Sequence, residues 1–160
     1  IANAMEFMHS LDPQVIHGDI RGCNILVTEH NRCCLADFGA SIITSTMAPS
    51  TASMSHYSTP WMAPEFLEYS SKLYDQSFLT ARDVYAFGFT IVEIFTLRTP
   101  FSHIHRSAIV NAKLEGAPYP RPSPEEFPSS KLWSLVEECV VKDPTRRPNA
   151  KSIKQRLYDA

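Results

Sequence analysis

The sequence predicts an α+β chain, mainly α-helical, with one short β-hairpin. Apolar residues recur at helical spacing in the opening segment, from Thr80 to Leu97, and again from Leu132 onward. Two short apolar runs, Ile25 to Thr28 and Cys33 to Ala36, flank the polar tetrapeptide Glu29-His30-Asn31-Arg32, which is the pattern of a hairpin. A chain of 160 residues, 44% apolar and 20% charged, is long enough for one domain with a sizeable core.

Composition removes several classes of function. A formal net charge of -2, with no block of like charge long enough to be an interaction tail, gives no case for a nucleic-acid or membrane surface. The most apolar stretch, Val84 to Phe95, is too short to span a bilayer and contains Glu93. Cys23, Cys33, Cys34 and Cys139 lack a C-x-x-C pair, so they read as buried free thiols in a reducing compartment. The first residues already read as the inside of a helix beginning at Ile1, so the chain is expected to be a fragment.

Taken in order, Ile1, Met5 and Met8 form a helical stripe widened by Phe7 and Leu11, and Asp12-Pro13 ends the helix because proline disfavours a helical residue before it. His9 falls near that end, as a helix-terminal or surface residue. His17-Gly18-Asp19-Ile20-Arg21-Gly22-Cys23-Asn24 follows, leading into the apolar run Ile25-Leu26-Val27. A carboxylate, a cation two residues on and a carboxamide three further can serve a hydroxyl proton, a phosphate and a metal ion. Packing alone needs no such set. The hairpin then presents its end to Asp37-Phe38-Gly39, where glycine permits a tight backbone turn.

Ser41 to Ser58 is rich in Ser and Thr without apolar periodicity and reads as a mobile loop. Thr44, Ser45, Thr46, Ser50, Thr51, Ser53 and Ser55 could all accept phosphate. Trp61-Met62-Ala63-Pro64-Glu65 closes this stretch. From Thr80 to Leu97 the helix is apolar on almost every face and must be central, with Thr80 and Asp83 at capping-box spacing. Ile104 to Glu115 is a short helix stopped by Gly116; His103 and His105 near its start have no third ligand at zinc spacing. Pro118, Pro120, Pro122 and Pro124 alternate in an extended connector without a P-x-x-P register. Leu132, Leu135, Val136, Cys139 and Val140 continue at helical spacing, and after Asp143-Pro144-Thr145-Arg146-Arg147-Pro148 Asn149 caps a last helix carrying Ile153 and Leu157.

The segment from His17 to Asn24 resembles the catalytic loop of eukaryotic protein kinases, H-R-D-L-[KR]-x-x-N. Asp37 to Gly39 resembles D-F-G, Trp61 to Glu65 the W-M-A-P-E form of A-P-E, Asp83 to Gly88 the D-V-Y-x-F-G start of a buried helix, and Asp143 to Pro148 the D-P-x-x-R-P signature. Thr96 to Phe101 resembles T-G-x-x-P-F. These motifs stand in family order and cover essentially the whole chain. The resemblance implies a protein kinase-like fold over residues 1–160, its C-terminal lobe alone with the N-lobe absent, a catalytic loop at 17–24 and an activation segment at 37–65. Trp61-Met62, Arg21 and the Asp-Val-Tyr-Ala-Phe-Gly run look most like the tyrosine-kinase-like group, most of whose members act on Ser and Thr.

The resemblance also assigns roles. Asp19 would orient the acceptor hydroxyl and take its proton, Arg21 would offset charge on the transferring phosphoryl group, and Asn24 and Asp37 would hold Mg2+ on ATP. Leu26 would form the floor under adenine, and Ser58 would supply a hydroxyl to the catalytic aspartate, with Thr59 the next choice. Asp83 would hold the loop backbone around His17, Phe38 would belong to the D-F-G turn, and Arg147 would pair with Glu65. The implied partners are a protein substrate and the missing N-lobe, with no nucleic acid and no membrane segment, in the cytoplasm. The alternative is a pseudokinase or regulatory lobe that serves as a protein-interaction module. Two positions depart from the pattern. Gly18 stands where the family has an arginine that pairs with a phosphorylated activation segment, which implies weak dependence on loop phosphorylation. Arg82 replaces the usual serine, expected to be a tolerable surface change. The 160 residues alone are expected to transfer phosphate negligibly.

Overall fold

The computed structural model describes residues 1–44, 58–67 and 78–159. In chain order its elements are α1 (Ala2–Ser10), β1 (Val15–Ile16), β2 (Ile25–Val27), β3 (Cys33–Leu35), β4 (Ile42–Ile43), α2 (Leu79–Thr96), α3 (Ile109–Glu115), α4 (Ser130–Cys139) and α5 (Ala150–Tyr158). Single 3-10 turns at Gly22–Asn24, Phe38–Ala40, Pro64–Phe66, Arg106–Ala108 and Pro144–Arg146 join them.

Helix α2 is the axis. Every residue from Arg82 to Val92 is buried, as its near-continuous apolar sequence requires. Helix α4 lies so close against it that a Cβ on Gly88 would meet Val140 Cγ1 at 2.7 Å and Cys139 Cβ at 2.8 Å, so glycine sets the spacing. Rings of Tyr85, Phe89, Phe101 and Tyr119 interlock beside α2, with neighbouring centroids 5.0–5.2 Å apart. Helix α1 buries Ala2, Met5 and Met8 and packs against α5, to which Glu6 Oε2 is joined by Lys154 Nζ at 2.6 Å. Phe7 is not part of that stripe: it is 65% exposed, on the far side of the helix from Met5 and Met8.

Strands β2 and β3 form the expected hairpin, with Leu26 opposite Cys34 and Val27 opposite Cys33. A second antiparallel pair joins β1 to β4, Val15 to Ile43 and Ile16 to Ile42. That pairing corrects the reading of the chain from Ser41 as loop, since Ile16 and Ile42 are both buried in the core and two-residue strands give too little alternation to be seen as a pattern. Residues 45–57, with most of the candidate phosphate acceptors, lie outside the described residues.

Helix ends follow local chemistry. Asn149 Oδ1 accepts the Ser152 amide at 2.8 Å, as a cap should, and Ser129 Oγ accepts the Leu132 amide at 3.1 Å. Gly116 closes α3 at φ 72°, and Leu97 takes the same left-handed conformation after α2 at φ 53°. The capping box expected at Thr80 and Asp83 is not made: α2 starts at Leu79 after Phe78, without a side-chain cap, and Asp83 is turned inward to the loop described below. The thiols also differ from expectation. Cys139 is buried, and burial pushes its thiol up to about 12, but Cys23, Cys33 and Cys34 are exposed because the loop and hairpin that carry them sit at the surface.

Candidate active site

The loop between β1 and β2 is fastened to α2 along its length. Asp83, fully buried, accepts the His17 amide on Oδ2 and the Gly18 amide on Oδ1, both at 2.8 Å. Its Oδ2 also lies 2.9 Å from His9 Nε2. The Thr90 hydroxyl shares its one proton between the Ala86 carbonyl at 2.8 Å and the Ile20 carbonyl at 3.3 Å, and Glu93 Oε2 accepts the Gly22 amide at 2.8 Å. Three levels of one helix thus hold the backbone, satisfying loop amides and a carbonyl that would otherwise be costly to bury.

Within this frame the functional side chains converge. Asn24, 5% exposed, donates through Nδ2 to the Asp19 carbonyl at 2.8 Å and to Asp19 Oδ2 at 3.0 Å. Arg21 Nε lies 3.2 Å from the same Oδ2, close enough for an ion pair but without hydrogen-bond alignment. The Arg21 guanidinium is 5.8 Å from the Trp61 ring centre, and Trp61 Nε1 donates to Glu93 Oε2 at 2.9 Å. Glu93 therefore joins the loop to the segment beginning at Ser58.

Asp37 is placed by the hairpin. The ladder continues past Ile25 and Leu35 through a bond from the Ala36 amide to the Asn24 carbonyl at 2.9 Å, which sets Asp37 one residue beyond the partner of Asn24. Asp37 adopts φ 61°, and its Oδ1 accepts the Gly39 amide at 3.2 Å. Phe38, half exposed, lays its ring against His17 with centroids 4.8 Å apart, and His17 Nε2 is 3.0 Å from the Ala36 carbonyl. Leu26 is 58% exposed beside the loop.

Ser58 lines a small cavity together with Asp19, Trp61 and Arg82, yet no hydrogen bond joins its hydroxyl to the Asp19 carboxylate. Its carbonyl instead accepts the Trp61 and Met62 amides, at 3.0 and 3.2 Å. Glu65 and Arg147 form a two-pronged ion pair at 2.6 and 2.8 Å. Arg147 further donates to the carbonyls of Ala81, Val141 and Lys142, so the chain end of the core is tied to the segment after Ser58.

Four participants escaped the sequence reading. His9 is no surface residue: it stands four positions after Met5, on the buried stripe, and reaches Asp83. Glu93 was seen only as a charge in an apolar helix. Lys113 is buried, its ammonium donating to the Pro60 and Met62 carbonyls at 2.8 and 2.7 Å among the rings of Tyr85, Phe89 and Phe101. Burial pushes its pKa well down, Arg147 adds to this, and Glu65 opposes it. Arg82 is buried rather than on the surface, donating to the Gly18 carbonyl at 2.9 Å with its guanidinium 4.6 Å from the Phe66 ring centre. Desolvation lowers its pKa, while Asp83, Asp19 and Glu65 raise it. A lone charge inside an otherwise apolar helical stretch was the available signal for Glu93; Arg82, next to Asp83 at the polar start of the helix, offered none.

The donor set suits a hard cation carried on phosphates. Asn24 spends its amide nitrogen on Asp19 and, among the described residues, leaves Oδ1 with only the weak Cys23 thiol at 3.4 Å. Asp37 commits Oδ1 to the adjacent turn, leaving Oδ2 available on an exposed residue. One amide oxygen just before β2 and one carboxylate oxygen just after β3, at the same end of the hairpin, fit a magnesium ion that takes its other ligands from phosphate and water.

Residues 1–157 match the family model described as protein tyrosine and serine/threonine kinase. The chain belongs to the protein kinase family. It is 32% identical over 158 residues to a probable serine/threonine-protein kinase, drkC, of Dictyostelium discoideum, covering 98% of this chain and 20% of that protein. It is 32% identical over 153 residues to the dual specificity protein kinase shkC of the same organism, covering 95% of this chain and 29% of that protein. To the serine/threonine-protein kinase STY17 of Arabidopsis thaliana it is 29% identical over 157 residues, covering 98% of this chain and 25% of that protein. The chain thus spans less than a third of the length of these curated relatives.

Proposed function

We propose that this chain is the C-terminal lobe of a kinase domain of the tyrosine-kinase-like group, with its catalytic loop at 17–24 and its activation segment at 37–65, acting in signal transduction in the cytoplasm. In the longer protein it would phosphorylate Ser or Thr on protein substrates. The observation that carries the reading is the Asp19 carboxylate, oriented by Asn24 Nδ2 at 3.0 Å with the Arg21 guanidinium beside it at 3.2 Å.

Asp19 in that setting would accept a hydrogen bond from the substrate hydroxyl and take its proton as that oxygen bonds to the γ-phosphorus and the bond from phosphorus to the departing ADP breaks. Arg21 lies close enough to offset charge gathering on the transferred group. ATP with Mg2+ supplies the phosphoryl group and part of its charge compensation. Asn24 Oδ1 and Asp37 Oδ2 would hold the metal, and Leu26 would underlie the adenine. The Ser58 hydroxyl borders the same cavity as Asp19, where a substrate side chain would bring the two together. An N-lobe supplied by the longer protein would cover Leu26, Val27 and Phe38, which are 58%, 66% and 51% exposed. Without it, the chain alone should show negligible transfer.

The test is phosphate transfer by the longer protein to Ser, Thr and Tyr peptides. Asp19→Asn should lower kcat about 10²–10⁴-fold on Ser and Thr peptides. Full activity in that variant would contradict the assignment, and absence of transfer by the unaltered protein would favour the interaction-module alternative.

A further inference from the structure

Gly18 is held by both of its backbone polar groups, and the two groups that hold it are consecutive residues of α2. Its amide donates to Asp83 Oδ1 at 2.8 Å, and its carbonyl accepts from Arg82 Nη2 at 2.9 Å. Gly18 adopts φ 82°, where side chains are strained, and a Cβ there would meet the Ala40 carbonyl oxygen at 2.5 Å and Arg82 Cζ at 3.5 Å. Because the Ala40 contact is to backbone, it cannot be relieved by a rotamer change. The loop path seen here therefore excludes an arginine at position 18, while Arg82 brings a guanidinium to the same place from the helix beneath.

We infer that Arg82 is a positioning residue for Asp19: it fixes the peptide plane between Gly18 and Asp19, and with it the direction of the Asp19 carboxylate, without any phosphate on the activation segment. The inference rests on the kinase reading above. The plane of that peptide is one of the soft coordinates that aim the Asp19 side chain; Arg82 holds its carbonyl at 2.9 Å, against a longer bond of 3.3 Å from its Asp19 amide to His17 Nδ1. The guanidinium is committed inward, between the Gly18 carbonyl and the Phe66 ring, and borders the small cavity that Asp19 and Ser58 share. Arginine suits this position because its planar donor group can bond a carbonyl along one edge and lie over an aromatic face at once. Serine at position 82 would reach neither.

The test uses the longer protein, with Arg82→Met and Arg82→Lys, before and after phosphatase treatment. Arg82→Met should lower kcat at least tenfold with KM for Mg·ATP within twofold, Arg82→Lys should recover part of kcat, and phosphatase should leave the unaltered protein's kcat unchanged. A loss through misfolding would raise inactive protein without that split, and circular dichroism identifies it; Arg82→Lys then carries the comparison, since it retains charge and stem. Unchanged kcat in the folded Met variant would overturn the inference. So would a phosphatase-sensitive activity that Arg82→Met abolishes, because Arg82 would then be receiving a phosphate. If the unaltered protein transfers no phosphate, the kinase reading fails instead, and positioning is judged by amide exchange at Gly18 and Asp19: faster in the variant supports it, and unchanged overturns it.

Discussion

The loop from His17 to Asn24 and the turn from Asp37 to Gly39 carry comparable chemistry on unlike supports. The loop is bonded to α2 through Asp83, Thr90 and Glu93, and its neighbours there are buried. The turn is exposed, and among the described residues its one side-chain bond is local, the Gly39 amide donating to Asp37 Oδ1 two residues away. His17 links them, with its ring against Phe38 and its Nε2 at the Ala36 carbonyl. A group that must aim at a hydroxyl is thus built into the core, whereas a group that must meet a soluble metal–nucleotide complex sits on a hairpin edge where it can move toward it.

Substitutions can break that contrast at graded depth. Arg147→Met leaves Glu65 without its buried partner and takes one donor from each of the Ala81, Val141 and Lys142 carbonyls, and should cost roughly 3–5 kcal/mol in urea unfolding. Asp83→Asn replaces one acceptor oxygen by an amide donor facing an N–H or His9, and should cost about 2–3 kcal/mol, with the loss of protection concentrated at His17 and Gly18. Asp37→Asn tolerates the same left-handed backbone and touches no buried group, so stability should stay within about 0.5 kcal/mol. Magnesium-dependent nucleotide binding by the longer protein should nonetheless weaken in that variant. A stability loss at Asp37 as large as at Asp83 would erase the contrast.

Much of this architecture was legible in the sequence because it depends on periodicity and local chemistry. The apolar α2, the hairpin across Glu29 to Arg32, the Gly116 stop and the Asn149 cap each follow from residues within a few positions of one another. The proximity of Asp19, Arg21 and Asn24 follows from their spacing in one loop. What was not legible depends on contacts distant in sequence. Nothing local to Val15 announces Ile43 as its partner, and nothing near Lys113 announces the Pro60 and Met62 carbonyls. The sequence reads His9 as helix-terminal or surface and Arg82 as surface because polarity is ordinarily solvated; His9 does stand in the last turn of α1. Here each finds a partner 74 and 64 positions away, buried Asp83 and the Gly18 carbonyl.

Hydrogen exchange at single amides in the longer protein, without nucleotide, tests the contrast between loop and turn most directly. The amides of His17 and Gly18, both bonded to buried Asp83, should exchange only with global unfolding, while the Gly39 amide should exchange near the rate of an open chain. Adding Mg·ATP should slow Gly39 and leave His17 and Gly18 unchanged. Equal protection of all three amides before nucleotide is added, or exchange of His17 as fast as Gly39, would contradict the account.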